Sequence, residues 1–405
     1  MKKILLTNFN IVNFSGSEID TITIAKYFVD KNYEVDIFTL KFDEPLKSYV
    51  DEKINVITPN NLNSLKKNYD LIWAHHYPLL DYLIFEQNVK AYKIIYVSLS
   101  SIEPYEALPD YYDELSLICV MSEKTKVRLI DECSIKKEIY IFPNYASNKF
   151  FEEKITYKDE IHKICVISNH VPDEILDFKN IAQENNIIVD IYGMNHTIKF
   201  VDENLLREYD VIISIGKTMF YSIAMGKPSY CYDRFGGYGY IVKDNIEKCY
   251  KRNFSGRGND TTKTASQIYE EIVSGFKYVQ NDLQYNKEFA NEYFCFEDNM
   301  EKILHFINNC KDVSFEKIIS KYPLLKRKSQ THIIYMNVMY NQINNLNNKI
   351  AELEQKVIIK TNENIMLKQQ NESLINRHNQ FINSRIWKIT KPFRVIENAI
   401  TKHSE

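Results

Sequence analysis

Three clusters beyond the first 150 residues combine glycine, cations and small hydroxyl side chains in a pattern suited to a phosphorylated ligand. Gly216-Lys217-Thr218 follows the apolar run Val211 to Ile215 and opens a segment of helical character that ends at Gly226-Lys227-Pro228. Glycine lets backbone approach a ligand closely, lysine brings positive charge, and threonine caps the helix while turning its hydroxyl outward. The free N–H groups and dipole of a helix start favour an anion. The Walker A spacing is absent, so the triplet alone equally describes an ordinary capped helix. Asp233 through Gly239 places Gly236, Gly237 and Gly239 after the next apolar run, which reads as a loop pressed against a ligand or as a tight bend. Ser168-Asn169-His170 ends an earlier strand-like run, and His170 either donates to a phosphate or bonds the facing loop. Gly193, Tyr221 and Arg257 complete the ligand-binding set. All three clusters fall at the carboxyl ends of strands, where open α/β sheets bind their ligands.

The first half offers a different chemistry. His75-His76 follows the strand-like LIWA, and a histidine there suits general acid/base work because its ordinary pKa is near neutrality. Asp20, Glu103 and Glu106 are rivals for that role. Ser15-Gly16-Ser17 forms a small-residue loop before the first helix. No HExxH motif, nucleophile elbow or paired carboxylates occur, and no carboxylate cluster is seen to hold a metal, so none is expected.

The elements that must position these residues alternate. KKILLT, YEVDIFTL, INVIT, LIWAH, KIIYVSL, LICVMS and IYIFP read as strands separated by stretches of helical length. A helix from about 18 to 31 is expected to bury Ile19, Ile22, Ala25, Tyr27 and Phe28. The pattern restarts at KICVISNH, with IIVDIYGM, DVIISIG and SYCYD. This predicts one α/β domain over 1–150, a second over 151–310 and a connecting helix over 311–332, each sheet doubly wound and parallel. With 405 residues and 44% hydrophobic side chains, the chain is long for a single core. A net charge of −3 gives no reason to expect nucleic acid as a partner. Seven cysteines without a CxxC pair suit a reducing compartment, and neither a signal peptide nor a membrane-length apolar run is present. A cytoplasmic protein is expected, with possible contact at the inner face of the cell membrane.

From 333 to 383 the period becomes seven. Met336, Ile343, Ile350, Val357, Asn364, Asn371 and His378 occupy one seam position. Met339, Leu346, Leu353, Lys360, Leu367, Leu374 and Phe381 occupy the other. That spacing predicts a coiled coil over 336–381 and a parallel homodimer, with the asparagines fixing register, or else a helix folded on its own domain. The tail, 384–405, interleaves Arg385, Lys388, Lys391 and Arg394 with Ile386, Trp387, Ile389 and Phe393. It suits an anionic membrane surface or a docking contact equally.

These segments resemble a bacterial GT-B glycosyltransferase of the surface-polysaccharide type, similar to the retaining group 1 enzymes. SGSEIDTITIAKYFVDKNYEVDIFTL, YDLIWAHHYP and IFPNYAS carry the resemblance in the first domain. ISNHVPDE, YDVIISIGKT, AMGKPSYCYDRFGGYGYI and NFSGRG carry it more specifically in the second. The resemblance implies two Rossmann-like domains facing across a cleft. It implies transfer of a sugar from a nucleotide-diphosphate sugar, without metal or cofactor, to a glycan or glycolipid acceptor. The donor would lie on the second domain, with Lys217, His170 and Arg257 against the diphosphate. The acceptor would lie near Ser15, Gly16, Ser17, Glu103 and the histidines. One departure stands out: two glutamates usual in retaining members are replaced by Ile213 and Tyr221. That opens two alternatives, a catalytically inactive partner subunit and a sugar-nucleotide epimerase.

Overall fold

A computed structural model of the chain describes residues 2–100, 103–131, 134–193, 196–259, 262–385 and 388–390. It comprises two compact units, Met1–Ile333 and Ile334–Glu405.

The first unit contains two α/β lobes. In chain order the first lobe has β1 (Lys3–Thr7), β2 (Asn10–Ile11), β3 (Glu34–Phe38), β4 (Lys41–Phe42), β5 (Asn55–Ile57), β6 (Asn68–Ala74), β7 (Lys90–Ser98), β8 (Leu117–Val120) and β9 (Ile139–Ile141). Seven of them form a parallel sheet in the order β5-β3-β1-β6-β7-β8-β9, while β2 and β4 pair separately. The order reverses beside β1, so a crevice opens between the ends of β1 and β6, the usual ligand position in such sheets. Helix α1 (Gly16–Asp30) starts there. Its buried face holds Ile24, Ala25, Tyr27, Phe28 and Val29 but also Glu18, Asp20 and Thr21. Ile19 and Ile22, expected in the core, are only half-buried. The helix has little amphipathic contrast because part of its inward face serves a polar cleft. The short helices α2 (Tyr77–Asp81) and α3 (Glu123–Asp131) also belong to this lobe, and α4 (Asn148–Phe151) leads out of it.

The second lobe has β10 (Lys163–Ile167), β11 (Ile188–Tyr192), β12 (Val211–Ser214), β13 (Ser229–Asp233) and β14 (Gly236–Tyr240), ordered β11-β10-β12-β13-β14. The first four are parallel and β14 is antiparallel to β13. Their helices are α5 (Asp173–Glu184), α6 (Glu203–Arg207), α7 (Lys217–Ala224), α8 (Ile246–Lys251), α9 (Ala265–Val279) and α10 (Leu283–Phe294). Helix α7 is buried from Thr218 onward, packed in the core with Phe254 and Phe294. Helix α9 begins in a capping box, Thr264 with Gln267.

The boundary expected at 310 shifts. Helix α11 (Phe296–Asn308) sends Phe296, Met300, Ile303 and Ile307 into the first lobe's core beside Tyr27, Trp73 and Phe142. The chain therefore crosses between lobes twice, at Ala146 and at Cys295. The crossings are laced by hydrogen bonds from Ala146 N–H to Phe294 and from Phe296 N–H to Ala146. The segment expected as a connecting helix over 311–332 begins against the first lobe. Lys93 meets Asp312 at 2.8 Å, Val313 N–H bonds Tyr92 at 3.0 Å, and α12 (Phe315–Lys321) follows.

Helix α13 (Leu325–Asn383) runs unbroken from the first unit into the second. In the second unit the seam residues Met339, Leu346, Ile350, Leu353, Val357, Leu367, Leu374 and Phe381 are 52–64% exposed. The side chains of Met336 and Ile343, and the tail residues Ile386, Trp387, Lys391, Phe393 and Arg394, lie outside the described residues.

Candidate functional site

The carboxyl ends of β10, β12 and β13 lie together at the sheet edge from which α7 starts, with the end of β11 beside that of β10. After β10, the Ser168 N–H bonds the Tyr192 carbonyl at 3.0 Å, and the Ser168 hydroxyl receives the His170 N–H at 3.0 Å. Asp233, at the end of β13, lies 3.4 Å from the same hydroxyl. Burial pushes the Asp233 carboxyl up. Asn169 and His170 are exposed at this rim, and Gly193 lies so near the Ser168 carbonyl that a Cβ there would come within 2.0 Å of it. Gly216, two residues beyond β12 and the N-cap of α7, has φ +58°, a backbone conformation that favours glycine, and donates its N–H to the Phe254 carbonyl at 2.9 Å. Nothing approaches within 4 Å of where its Cβ would stand. Thr218 is buried in the first turn of α7.

The expected glycine loop is largely a hairpin. Arg234-Phe235 forms a two-residue turn between β13 and β14, and Gly236, Gly237 and Gly239 lie in β14. A Cβ on Gly237 would sit 1.9 Å from the Cys231 carbonyl. The register shift between Cys231 and Asp233 brings the strands that close. Gly237 is therefore required by strand approach.

Lys217 does not project freely. It reaches the first lobe, where its ammonium lies 3.1 Å from Asp20 Oδ1 and 4.4 Å from the Tyr145 ring centroid. Burial alone would lower its pKa, but Tyr221 and Asp20 beside it hold it above the ordinary lysine value. The other Asp20 oxygen has no hydrogen-bond partner and stands 3.9 Å from His75 Nε2. His75 is fully buried, with neither ring nitrogen in a hydrogen bond of normal geometry, and burial lowers its pKa. The fold thus joins three residues far apart in sequence: a carboxylate on α1, a neutral imidazole after β6 and the first lysine of α7.

His76 is differently placed. Its ring stacks on Phe9 at 4.4 Å, its Nδ1 accepts the Phe9 N–H at 3.0 Å, and its Nε2 lies 3.1 Å from Glu106 Oε1. An acceptor bond at Nδ1 puts the proton on Nε2, directed at the carboxylate. Both nitrogens are engaged in a buried setting, so His76 has no free lone pair with which to act as a base. Glu106 also accepts the Leu99 N–H at 2.9 Å and is a structural partner. Glu103 is exposed.

Gly16 and Ser17, expected in a loop, instead open helix α1 with Ser15 at its N-cap, and the loop before them is held by Glu18, which the sequence analysis did not single out. Glu18 accepts the Val12 and Asn13 N–H groups at 2.5 and 2.6 Å. Burial raises its pKa against those bonds. The spacing Ser15-x-x-Glu18 is that of a capping box and could have drawn attention to it, yet Ser15 makes no side-chain cap bond and the glutamate turns to the loop instead. Beside this loop a cavity of about 650 Å³ opens between the lobes, lined by Phe14 and Tyr49 from one side and Phe200, Asp202 and Glu208 from the other.

The two positions where the resemblance expects glutamate are filled by packing. Ile213 is buried in the sheet core, and Tyr221 lies flat on Phe150 at 4.2 Å. Arg257 is exposed, its guanidinium 4.4 Å from the Phe235 ring. Among the described residues no three or more His, Cys, Asp or Glu side chains gather as a metal site, and no helix is long and apolar enough to cross a membrane.

No family model and no curated protein matches the chain. Among solved structures it is similar to TarM, with a TM-score of 0.49, 12% identity, and coverage of 76% of this chain and 99% of that one. It is similar to MurG of Acinetobacter baumannii, with a TM-score of 0.45, 8% identity and coverage of 76% and 99%. It is also similar to a UDP-GlcNAc 2-epimerase from Neisseria meningitidis, with a TM-score of 0.45, 12% identity and coverage of 76% and 100%. Likenesses this distant say nothing of what the chain binds or does.

Proposed function

We propose that the chain is a glycosyltransferase that moves a sugar, of the hexosyl type, from a nucleotide-diphosphate sugar to a carbohydrate, glycolipid or other cell-surface glycan acceptor. One observation supports this most. A helix starts beside the joined ends of β10, β12 and β13 in the second lobe, and its Lys217 reaches a buried carboxylate and imidazole in the first. The diphosphate lies against the start of α7, whose N–H groups stabilise the charge that develops on it. The acceptor enters beside Ser15-Gly16-Ser17, with the Phe14, Tyr49 and Phe200 rings as a stacking surface. Its hydroxyl oxygen bonds the anomeric carbon as the bond to the diphosphate breaks, and its proton passes to Asp20, with His75 next to it. A diphosphate competes with Asp20 for the Lys217 ammonium, which frees the carboxylate to take that proton. Enclosure between the lobes limits hydrolysis. No metal enters this scheme.

The chain would work as a homodimer through residues 336–381, in the cytoplasm, with the basic tail at the inner membrane face. A second reading is a non-catalytic partner subunit. It is favoured by the packing of Tyr221 on Phe150, which fills a position where the resemblance expects a donor-binding carboxylate. Incubation with uridine, guanosine and thymidine diphosphate sugars plus candidate glycans, read by product mass, separates the two. Glycosylated acceptor supports the transferase. No product, with no calorimetric binding of any donor at about millimolar concentration, supports the partner.

A further inference from the structure

The chain enters the second lobe along residues 151–157, and between that segment and helix α10 lies a groove of about 730 Å³. Its size falls in the range of about 300–1,000 Å³ usual for ligand sites. Both walls are fixed. Lys287 of α10 donates to the Glu153 carbonyl, and the Glu153 carboxylate in turn holds Arg207. Ile155 packs so tightly on Gly226 that a Cβ on the glycine would come within 2.5 Å of it. Just beyond, the Lys158 N–H and carbonyl bond the Gln280 side-chain amide at 2.7 and 2.8 Å. Gly226 lies just past the end of α7, whereas the candidate ligand site lies at its start. An eight-residue helix, about 12 Å long, therefore separates the groove from that site.

The lining suits one kind of ligand. Phe151 and Ile155 are half-buried, while Tyr157 is 61% exposed, and among the described residues no ring or cation stacks on it. Around them Glu152 and Glu288 offer acceptors, and Lys154 and Asn291 offer donors. Among the described residues the side chains of Glu152, Lys154 and Asn291 have no hydrogen-bond partner. Charges of both signs alternate here, so neither a polyanion nor a polycation is strongly favoured. One exposed ring among polar groups is too little apolar surface for a protein interface, whose buried centre is typically apolar. A saccharide meets both conditions. Each of its hydroxyls donates and accepts, and the C–H face of a pyranose covers an aromatic ring.

We propose that this groove is a second saccharide site, which binds a neutral oligosaccharide with one pyranose on Tyr157 and its hydroxyls shared among Glu152, Lys154 and Asn291. Binding there needs no donor, so the inference stands apart from the transferase reading. Under that reading, the groove keeps a growing glycan on the protein between additions. Titration calorimetry of the full chain with cellotetraose, maltotetraose, chitotetraose and the cationic tetramer of glucosamine tests it. The proteins compared are the unaltered chain, Tyr157→Ala, the double variant Glu152→Ala with Asn291→Ala, and Phe200→Ala, which alters the cleft instead. At least one neutral tetrasaccharide is expected to bind, about fivefold or more weaker in Tyr157→Ala and in the double variant. The substituted groove side chains are exposed, and unchanged melting temperatures confirm folding. Undiminished affinity in both groove variants, with or without a loss in Phe200→Ala, overturns the proposal. So does tighter binding of the glucosamine tetramer than of the neutral three, or no binding of those three at about 10 mM. Groove-dependent binding without any glycosylated product from the donor panel upholds the groove and removes the transferase reading.

Discussion

Lys217 and Asp20 show how a residue's partner changes what it can do. The triplet Gly216-Lys217-Thr218 was legible in the sequence as a helix start with a cation. That the cation spans the lobes to a buried aspartate was not, because the two are joined only by tertiary packing. Replacing Lys217 by Met leaves Asp20 buried without a counter-charge and is expected to cost about 3 kcal/mol of stability. Adding Asp20→Asn should recover most of that loss in denaturant unfolding, whereas simple additivity of the two changes would exclude the coupling. His75 and His76 were indistinguishable as a dipeptide. Only the φ of +62° at His76, which turns its ring onto Phe9 and Glu106, separates a structural imidazole from a candidate catalytic one. Asp81 is a further case. It is buried beneath Tyr111, whose hydroxyl donates to it at 2.8 Å, and burial pushes its pKa up to about 7. Between its unfolded value and that point the folded chain holds the extra proton, so stability declines as pH rises through this window. Asp81→Asn keeps the acceptor for Tyr111 and removes the decline. The variant should be more stable by about 2–4 kcal/mol near pH 8, an advantage that shrinks toward acid and is nearly gone at about pH 4.

At the scale of elements, hydrophobic patterning carried most of the fold. The seven strands anticipated in the first lobe all form; the inner ones, such as β1 and β8, are short apolar runs buried on both faces of a parallel sheet, while the edge strands β5 and β9 are partly exposed. Two features escaped for physical reasons. The hairpin of β13 and β14 has a glycine-rich second strand, and glycine scores against strands although close approach demands it here. Helix α11 is as amphipathic as its neighbours, and nothing local says that its partner is the distant first lobe. Paired glycine substitutions check this account. Gly237→Ala places a Cβ against the Cys231 carbonyl and should lower stability by about 2 kcal/mol or more. Gly16→Ala meets open space at the first turn of α1 and should be neutral or stabilising by up to about 1 kcal/mol. Thermal unfolding showing the reverse order would contradict the packing described for both sites.

For the whole molecule, the seven-residue period was readable because it needs no tertiary context. With Met336 at the first seam position, Lys349 and Glu363 fall on one flank of the seam, and Glu354 and Lys368 on the other. In a parallel, in-register pair Lys349 faces Glu354 of the second copy, and Glu363 faces Lys368. Both pairings are attractive. A chain ending at Ile333 is therefore expected to sediment as a monomer while the full chain sediments as a dimer. Changing Glu354 and Lys368 to the opposite charges should weaken the dimer, and also reversing Lys349 and Glu363 should restore it. Monomeric full-length chain at about micromolar concentration would remove the proposal.

The twin crossings at Ala146 and Cys295 carry a mechanical corollary. Since both covalent links run side by side, the two sheets are bound along one spine, like the boards of a book. A swing about it strains neither board and moves the outer margins farthest. Asp20 and Lys217 then act as a clasp across the pages, and whatever draws the lysine away unfastens the volume.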